Sequence, residues 1–169
     1  MVDNDVGIID RSFGFHTALE AAQRASTAAH MEAESAANGM ALMKLMGWST
    51  SHIALYSMLS IHEVDCCLIP RRTSTSVWLA GCLSSCTAFI LEEGHTVVIR
   101  AEGAGQRLIL RPDPQQQHDK SGNPVFVNIG AWLKAELGAL AEEHAGELLM
   151  LKYIDPTYMV HTVAASNLD

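Results

Sequence analysis

The sequence predicts an α/β protein with a mostly parallel sheet and helices on both faces. Short apolar runs closed by Gly or Pro alternate with longer segments of helical character, which is the pattern of βαβ units. The 169 residues, 49% apolar and only 18% charged, suffice for one domain with a sizeable core and lack the low hydropathy of a disordered chain. No internal repeat breaks this pattern.

From Thr17 to about Ala37 runs an alanine-rich segment without Gly or Pro, opened by Thr17-Ala-Leu-Glu20 as a capping box and stopped at Asn38-Gly39. It predicts a helix. "MALMKLMG" is too short for a buried helix between two glycines and predicts a covered strand. Ser49, Thr50 and Ser51 cap a second helix from Ser51 to about Ser60, and "DCCLIP" supplies another strand closed by Pro70. "TVVIRAEG" predicts a third strand. Asn128 caps a helix whose apolar stripe is Trp132, Leu133, Leu137 and Leu140, with Gly146 beyond its end. "ELLMLKYIDP" is a fourth strand, ended by Asp155-Pro156.

Two segments stand apart. Residues 71–91, "RRTSTSVWLAGCLSSCTAFIL", carry no acid and seven Ser or Thr, with a helix conceivable from Val77 but with poor caps and periodicity. Residues 108–124 hold three of the five prolines and predict an exposed loop.

Composition narrows the function. A net charge of −8, with no basic run longer than Arg71-Arg72, argues against nucleic acid and anionic lipid as partners. No 18-residue apolar stretch marks a membrane span, and the acidic N-terminus lacks the order of a secretory signal. The four cysteines are the adjacent pair Cys66-Cys67 and the separate Cys82 and Cys86. The adjacent pair reads as reduced core filling rather than a disulfide, so a reducing compartment is expected, the cytoplasm or a plastid stroma.

Ligands of open parallel sheets bind beyond the carboxyl ends of the strands. Those ends are Met46-Gly47-Trp48, Glu102-Gly103-Ala104-Gly105 and Asp155-Pro156-Thr157-Tyr158, all polar or Gly-bearing. "EGAGQR" lacks the third glycine of a dinucleotide turn and has Leu108 there instead, which favours a plain strand-to-helix turn. None of the eight histidines has zinc-ligand spacing to a second His or to a Cys pair. The "DND" stretch at Asp3-Asn4-Asp5 is either a local hydrogen-bonded turn or a general base beside a metal-binding carboxylate, and Tyr158 is either core or ligand.

Six blocks, in order, carry a resemblance: "VDNDVGIIDRSFGFHTALEAAQRA", "AHMEAES", "NGMALMKLMG", "VDCCLIP", "GHTVVIRAEGAGQ" and "LKYIDPTYM". They resemble the central and C-terminal parts of the 6-phosphofructokinase family, most closely its plant and algal ATP-dependent branch. The resemblance covers nearly all of 1–169 except 71–91 and the 108–124 loop, and implies a truncated phosphofructokinase-like fold forming the substrate-binding half of that domain. In the family a Thr-Ile-Asp-Asn-Asp loop follows a Gly-rich half that holds the nucleotide phosphates; this chain begins inside that loop. It therefore reads as a fragment, a truncated copy or a gene model lacking its first half. An open sheet edge and uncovered helix faces are then expected to give poor solubility or obligatory association.

By this resemblance Val2 matches the loop isoleucine, and Asp3 the acceptor of the proton from the sugar 1-hydroxyl as it attacks the γ-phosphoryl group. Asp5 matches a neighbouring acid near magnesium. Met46 and Gly47 match a Met-Gly-Arg sugar-phosphate element, Glu102 an acid that accepts hydrogen bonds from sugar hydroxyls, and Tyr158-Met159-Val160-His161 a substrate-binding Tyr-Met-Ile-Arg. The resemblance implies fructose 6-phosphate as substrate, ATP and Mg2+ as cofactors with the nucleotide site largely upstream, a homo-oligomer, and glycolysis as the setting. A pyrophosphate-dependent enzyme and a non-catalytic, decayed or regulatory homologue are the alternatives.

The departures fall on the phosphate grips. Trp48 and His161 stand where the family has Arg, Met1 where it has the loop Thr, and His16 where it has Asp. A guanidinium fork gives two charged hydrogen bonds, whereas an indole gives one neutral donor. Losing both forks, discounted for partial replacement, weakens sugar-phosphate binding by roughly 3–6 kcal/mol, about two to four decades in Kd.

Overall fold

A computed structural model of the chain describes residues 14–47, 51–70, 75–106, 128–145 and 149–165. In chain order the elements are α1 (Phe15–Glu34), β1 (Gly39–Leu45), α2 (His52–Ser60), β2 (Cys66–Leu68), α3 (Thr75–Glu93), β3 (His95–Ala101), α4 (Ile129–Ala145), β4 (Met150–Ile154) and α5 (Thr157–Thr162). The described strands form one parallel sheet in the order β2-β3-β1-β4. The expected α/β architecture is present.

β1 is central, so both its faces are covered and its run is apolar except at Lys44. Gly39 pairs with His95 on one side and Met150 on the other, a register that holds to Leu45 opposite Ala101. Crossovers between parallel strands are right-handed, so connections running in opposite directions across the sheet lie on opposite faces. The step from β1 to β2 runs one way through α2; the steps from β2 to β3 and β3 to β4 return through α3 and α4. Helices α1 and α2 pack together on one face, and α3 and α4 cover the other.

α1 approaches the sheet closely because its inner stripe is small: Ala18, Ala22, Ser26, Ala29 and Ala33 recur at helical spacing and are all buried. Ser26 satisfies its hydroxyl by donating to the Ala22 carbonyl at 2.8 Å, with Ser57 of α2 3.4 Å away. The helix begins two residues before the expected capping box. Gly14, with φ of 83°, turns the chain into it, and Thr17 lies buried within the helix; the end falls at Glu34 rather than Ala37.

α2 begins at His52 after Ser51, though the Ser51 side chain makes no capping hydrogen bond. Asn128 does cap α4, its Oδ1 accepting from the Ala131 N–H at 3.4 Å, and Leu133 and Leu137 are buried as expected. Segment 71–91, whose pattern argued weakly for a helix, is helical from Thr75 onward. The 108–124 loop lies outside the described residues.

Behind β2, Cys82 and Cys86 bring their sulfurs to 3.9 Å one helical turn apart, and Cys66 bonds to Cys82. All four cysteines are free thiols. Burial holds Cys67 up at about 12, and the Cys82 bond together with burial raises Cys66 still further, so these groups stay protonated at neutral pH.

Candidate functional site

Strand pairing decides which expected site residues meet. Because Leu45 lies opposite Ala101 and Met43 opposite Ile154, the residues that follow these positions emerge side by side at one edge of β3, β1 and β4. Met46 and Gly47 continue β1, both buried, and Gly47 adopts a φ of 128° that few side chains tolerate. Glu102 follows β3 directly, and its N–H donates to the Leu45 carbonyl at 3.0 Å. Asp155-Pro156 follow β4 and lead into α5, whose Val160 N–H closes on the Pro156 carbonyl at 2.9 Å.

Within α5 the four expected residues divide. Val160 is buried against the core, while Tyr158 and Met159, 77% and 71% exposed, point outward, and His161 is exposed. Tyr158 is therefore not core. Val2, Asp3, Asp5 and Trp48 lie outside the described residues.

Beneath this edge is a polar layer that the sequence reading passed over. Alternation along the strands puts Leu42, Val98 and Tyr153 on one face, because the register makes them partners. Two residues further on, the same face carries Lys44, Arg100 and Asp155. Gly130 of α4 faces the Tyr153 ring, which identifies this as the α4 side of the sheet.

Lys44 Nζ contacts Asp155 Oδ2 at 2.8 Å and Glu102 Oε1 at 3.8 Å, joining the ends of β4 and β3 across β1. Asp155 also accepts from the Thr157 N–H at 3.2 Å and the Thr157 hydroxyl at 2.5 Å. Burial alone raises the Asp155 carboxyl, but the bonds from Lys44 and Thr157 outweigh it and hold the group below its ordinary value.

Arg100 is 1% exposed. Its Nη1 donates to the carbonyls of Glu102 and Ala104, both at 3.0 Å, and so fixes the turn that presents Glu102. Burial lowers its affinity for the proton, while the neighbouring Tyr153, Glu102 and Asp155 work the other way. Tyr153, raised chiefly by burial, donates its hydroxyl to Asn128 Oδ1 at 3.3 Å. One cation inside each of two apolar strands, Lys44 in "MALMKLM" and Arg100 in "TVVIRAEG", was the available signal, since an unpaired buried charge is costly.

A hollow of about 320 Å³ lies between α1 and the residues after α5, lined by Thr17, Glu20, Ala21, Arg24, Val163, Ala164 and Ala165. Among the described residues, none of the expected site residues lines it. Among the described residues no group of three or more His, Cys, Asp or Glu side chains is arranged to hold a metal ion, and no helix is long and apolar enough to cross a membrane.

The sequence model of the phosphofructokinase family matches residues 1–169. The chain belongs to the phosphofructokinase family. It is 54% identical over 170 residues to ATP-dependent 6-phosphofructokinase 2 of Arabidopsis thaliana, covering 99% of this chain and 38% of that relative. It therefore spans well under half the length of this relative. Among solved structures, phosphofructokinase from Saccharomyces cerevisiae superposes with a TM-score of 0.67 at 22% identity, over 98% of this chain and 19% of the other. A pyrophosphate-dependent phosphofructokinase from Marinobacter aquaeolei gives 0.60 at 17% identity, over 99% and 38%. Both likenesses show that the α/β arrangement is the phosphofructokinase fold.

Proposed function

We propose that the chain forms the fructose 6-phosphate side of an ATP-dependent 6-phosphofructokinase site, with the sugar phosphate lying across the carboxyl ends of β3, β1 and β4. One observation carries this reading. Met46-Gly47, Glu102 and the start of α5, which match the family's sugar-binding positions, follow three adjacent parallel strands. ATP as donor rests on the 54% identity to an ATP-dependent relative; pyrophosphate is the competing donor.

In this reading Glu102 accepts hydrogen bonds from sugar hydroxyls, and Tyr158 and His161 approach the sugar phosphate from α5. Asp3 takes the proton of the 1-hydroxyl as that oxygen attacks the γ-phosphorus, giving fructose 1,6-bisphosphate and ADP. By the family resemblance Asp5 would hold a magnesium ion, which would neutralise charge on the transferring phosphoryl group. Trp48 and His161 replace guanidinium forks and weaken the grip on the sugar phosphate. The same two substitutions favour the second reading, a relative that binds the sugar phosphate or pairs with intact subunits without catalysis. Self-association, in the cytoplasm or a plastid, belongs to either reading.

Equilibrium dialysis with labelled fructose 6-phosphate, followed by an assay with ATP and magnesium, tests this. Binding that weakens about tenfold in Glu102→Gln, by loss of one charged hydrogen bond, and no product from the 169 residues alone are expected. Binding indifferent to Glu102→Gln overturns the site. Product formation overturns the inactivity of these residues by themselves, and product formed with pyrophosphate instead of ATP overturns the donor.

A further inference from the structure

We propose that Lys44 is a positioning residue, one ammonium that holds Asp155 as an anchor and steers the Glu102 carboxylate toward the sugar hydroxyls. The proposal rests on the sugar-site reading above. Lys44 sits in a central strand whose other residues are buried, and its side chain is only 16% exposed. A cation in such a place is tolerated when it is paired, and the two groups that pair it come from the strands on either side.

The two carboxylates are held unequally. Asp155 is fixed on both oxygens, by Lys44 at 2.8 Å on Oδ2 and by Thr157 on Oδ1. Glu102 is fixed through its backbone, its N–H bonded to Leu45 and its carbonyl to Arg100, while its carboxylate meets Lys44 only at 3.8 Å. Among the described residues the Glu102 side chain is thus oriented by Lys44 and has no closer charged partner. Lys44 and the buried Arg100 together balance Glu102 and Asp155, but Arg100 is turned to the Glu102 and Ala104 carbonyls, so Lys44 meets the two carboxylates directly. A carboxylate held in this way suits neutral hydroxyls, which donate to it. Orientation of this kind governs how well a binding group meets its ligand.

The test uses the 169-residue chain with Lys44→Met, Lys44→Arg, Asp155→Asn and the Lys44→Met/Asp155→Asn pair. Amide spectra establish that each variant is folded, and fructose 6-phosphate affinity is read from the amides of 102–105. Lys44→Met is expected to weaken binding about tenfold, as for one lost charged contact, and Lys44→Arg to stay within about threefold of wild type. The double variant is expected to bind no worse than Lys44→Met, since both changes act through one contact. Wild-type affinity in Lys44→Met overturns the proposal, as does a loss in Lys44→Arg equal to that in Lys44→Met, which would mean packing rather than charge.

Wild-type protein that binds no fructose 6-phosphate overturns the sugar-site reading instead. The tether is then decided without ligand from carboxyl carbon spectra. Lys44→Met should move the Glu102 resonance and make Asp155 titrate at higher pH; an unmoved Glu102 resonance sinks the tether.

Discussion

Glycine to alanine changes at two positions are expected to shift stability in opposite directions. At Gly39, the first residue of β1, a Cβ would fall inside the carbonyl oxygen of Ala33 and 2.8 Å from its carbonyl carbon. The obstacle is backbone of the last turn of α1, where Ala33 is 3% exposed, and β1 is held by a strand on each side. Neither element can yield locally, so the cost lies at the upper end of overpacking, about 3 kcal/mol. The reduced freedom of the unfolded chain offsets about 0.5–1 kcal/mol of this. A net loss of about 2–2.5 kcal/mol lowers Tm by roughly 4–10 °C for a chain of this size. Gly138, inside α4, has nothing within 4 Å of its would-be Cβ. There alanine gains about 0.8–1 kcal/mol of helix propensity and raises Tm by roughly 2–4 °C. Thermal and urea unfolding of both variants measure this. Shifts of the same sign, or Gly39→Ala at wild-type stability, refute the packing of α1 on β1 described above.

Three further outcomes follow from other contacts. Leu42→Ala, in the middle of the central strand and fully buried, should cost about 2–5 kcal/mol in urea unfolding. Asn128→Ala removes the α4 cap and a Tyr153 hydroxyl partner, and should cost about 1–2 kcal/mol by the same measurement. Asp155, held below its ordinary value of 3.8, contributes stability that is present above that pH and lost as pH falls through its lower folded value. Because the side chain is 37% exposed the contribution is about 0.5 kcal/mol or less, and acid unfolding curves of wild type and Asp155→Asn should converge below pH 3.8.

The strands were legible because each buried parallel strand is a short apolar run with a Gly, Pro or acidic stop, as at Gly47, Pro70, Glu102 and Asp155. The α4 start was legible at Asn128 because a cap acts within one turn. The α1 start was not, because Gly14 turns the chain by its backbone and leaves the Thr17 signature unused. α3 was obscured by a segment without acids or clear periodicity. The strand order could not be read, since β3 inserts between β2 and β1 by long-range pairing that no local pattern encodes. In the candidate site, the positions of Met46, Gly47 and Glu102 at strand ends were legible from where the apolar runs stop. Lys44 and Arg100 were missed because each looks like an interruption of an apolar run, and only the register shows what surrounds them.

The central claim is that a sugar phosphate rests on the ends of β3, β1 and β4. A fructose 6-phosphate titration of the isotope-labelled chain, followed at every amide, tests it most directly. The account predicts that the shifts gather at residues 46–47, 102–105 and 155–161 and weaken in Glu102→Gln. Shifts confined to the hollow lined by Thr17, Arg24 and Val163, with those strand ends silent, would contradict it.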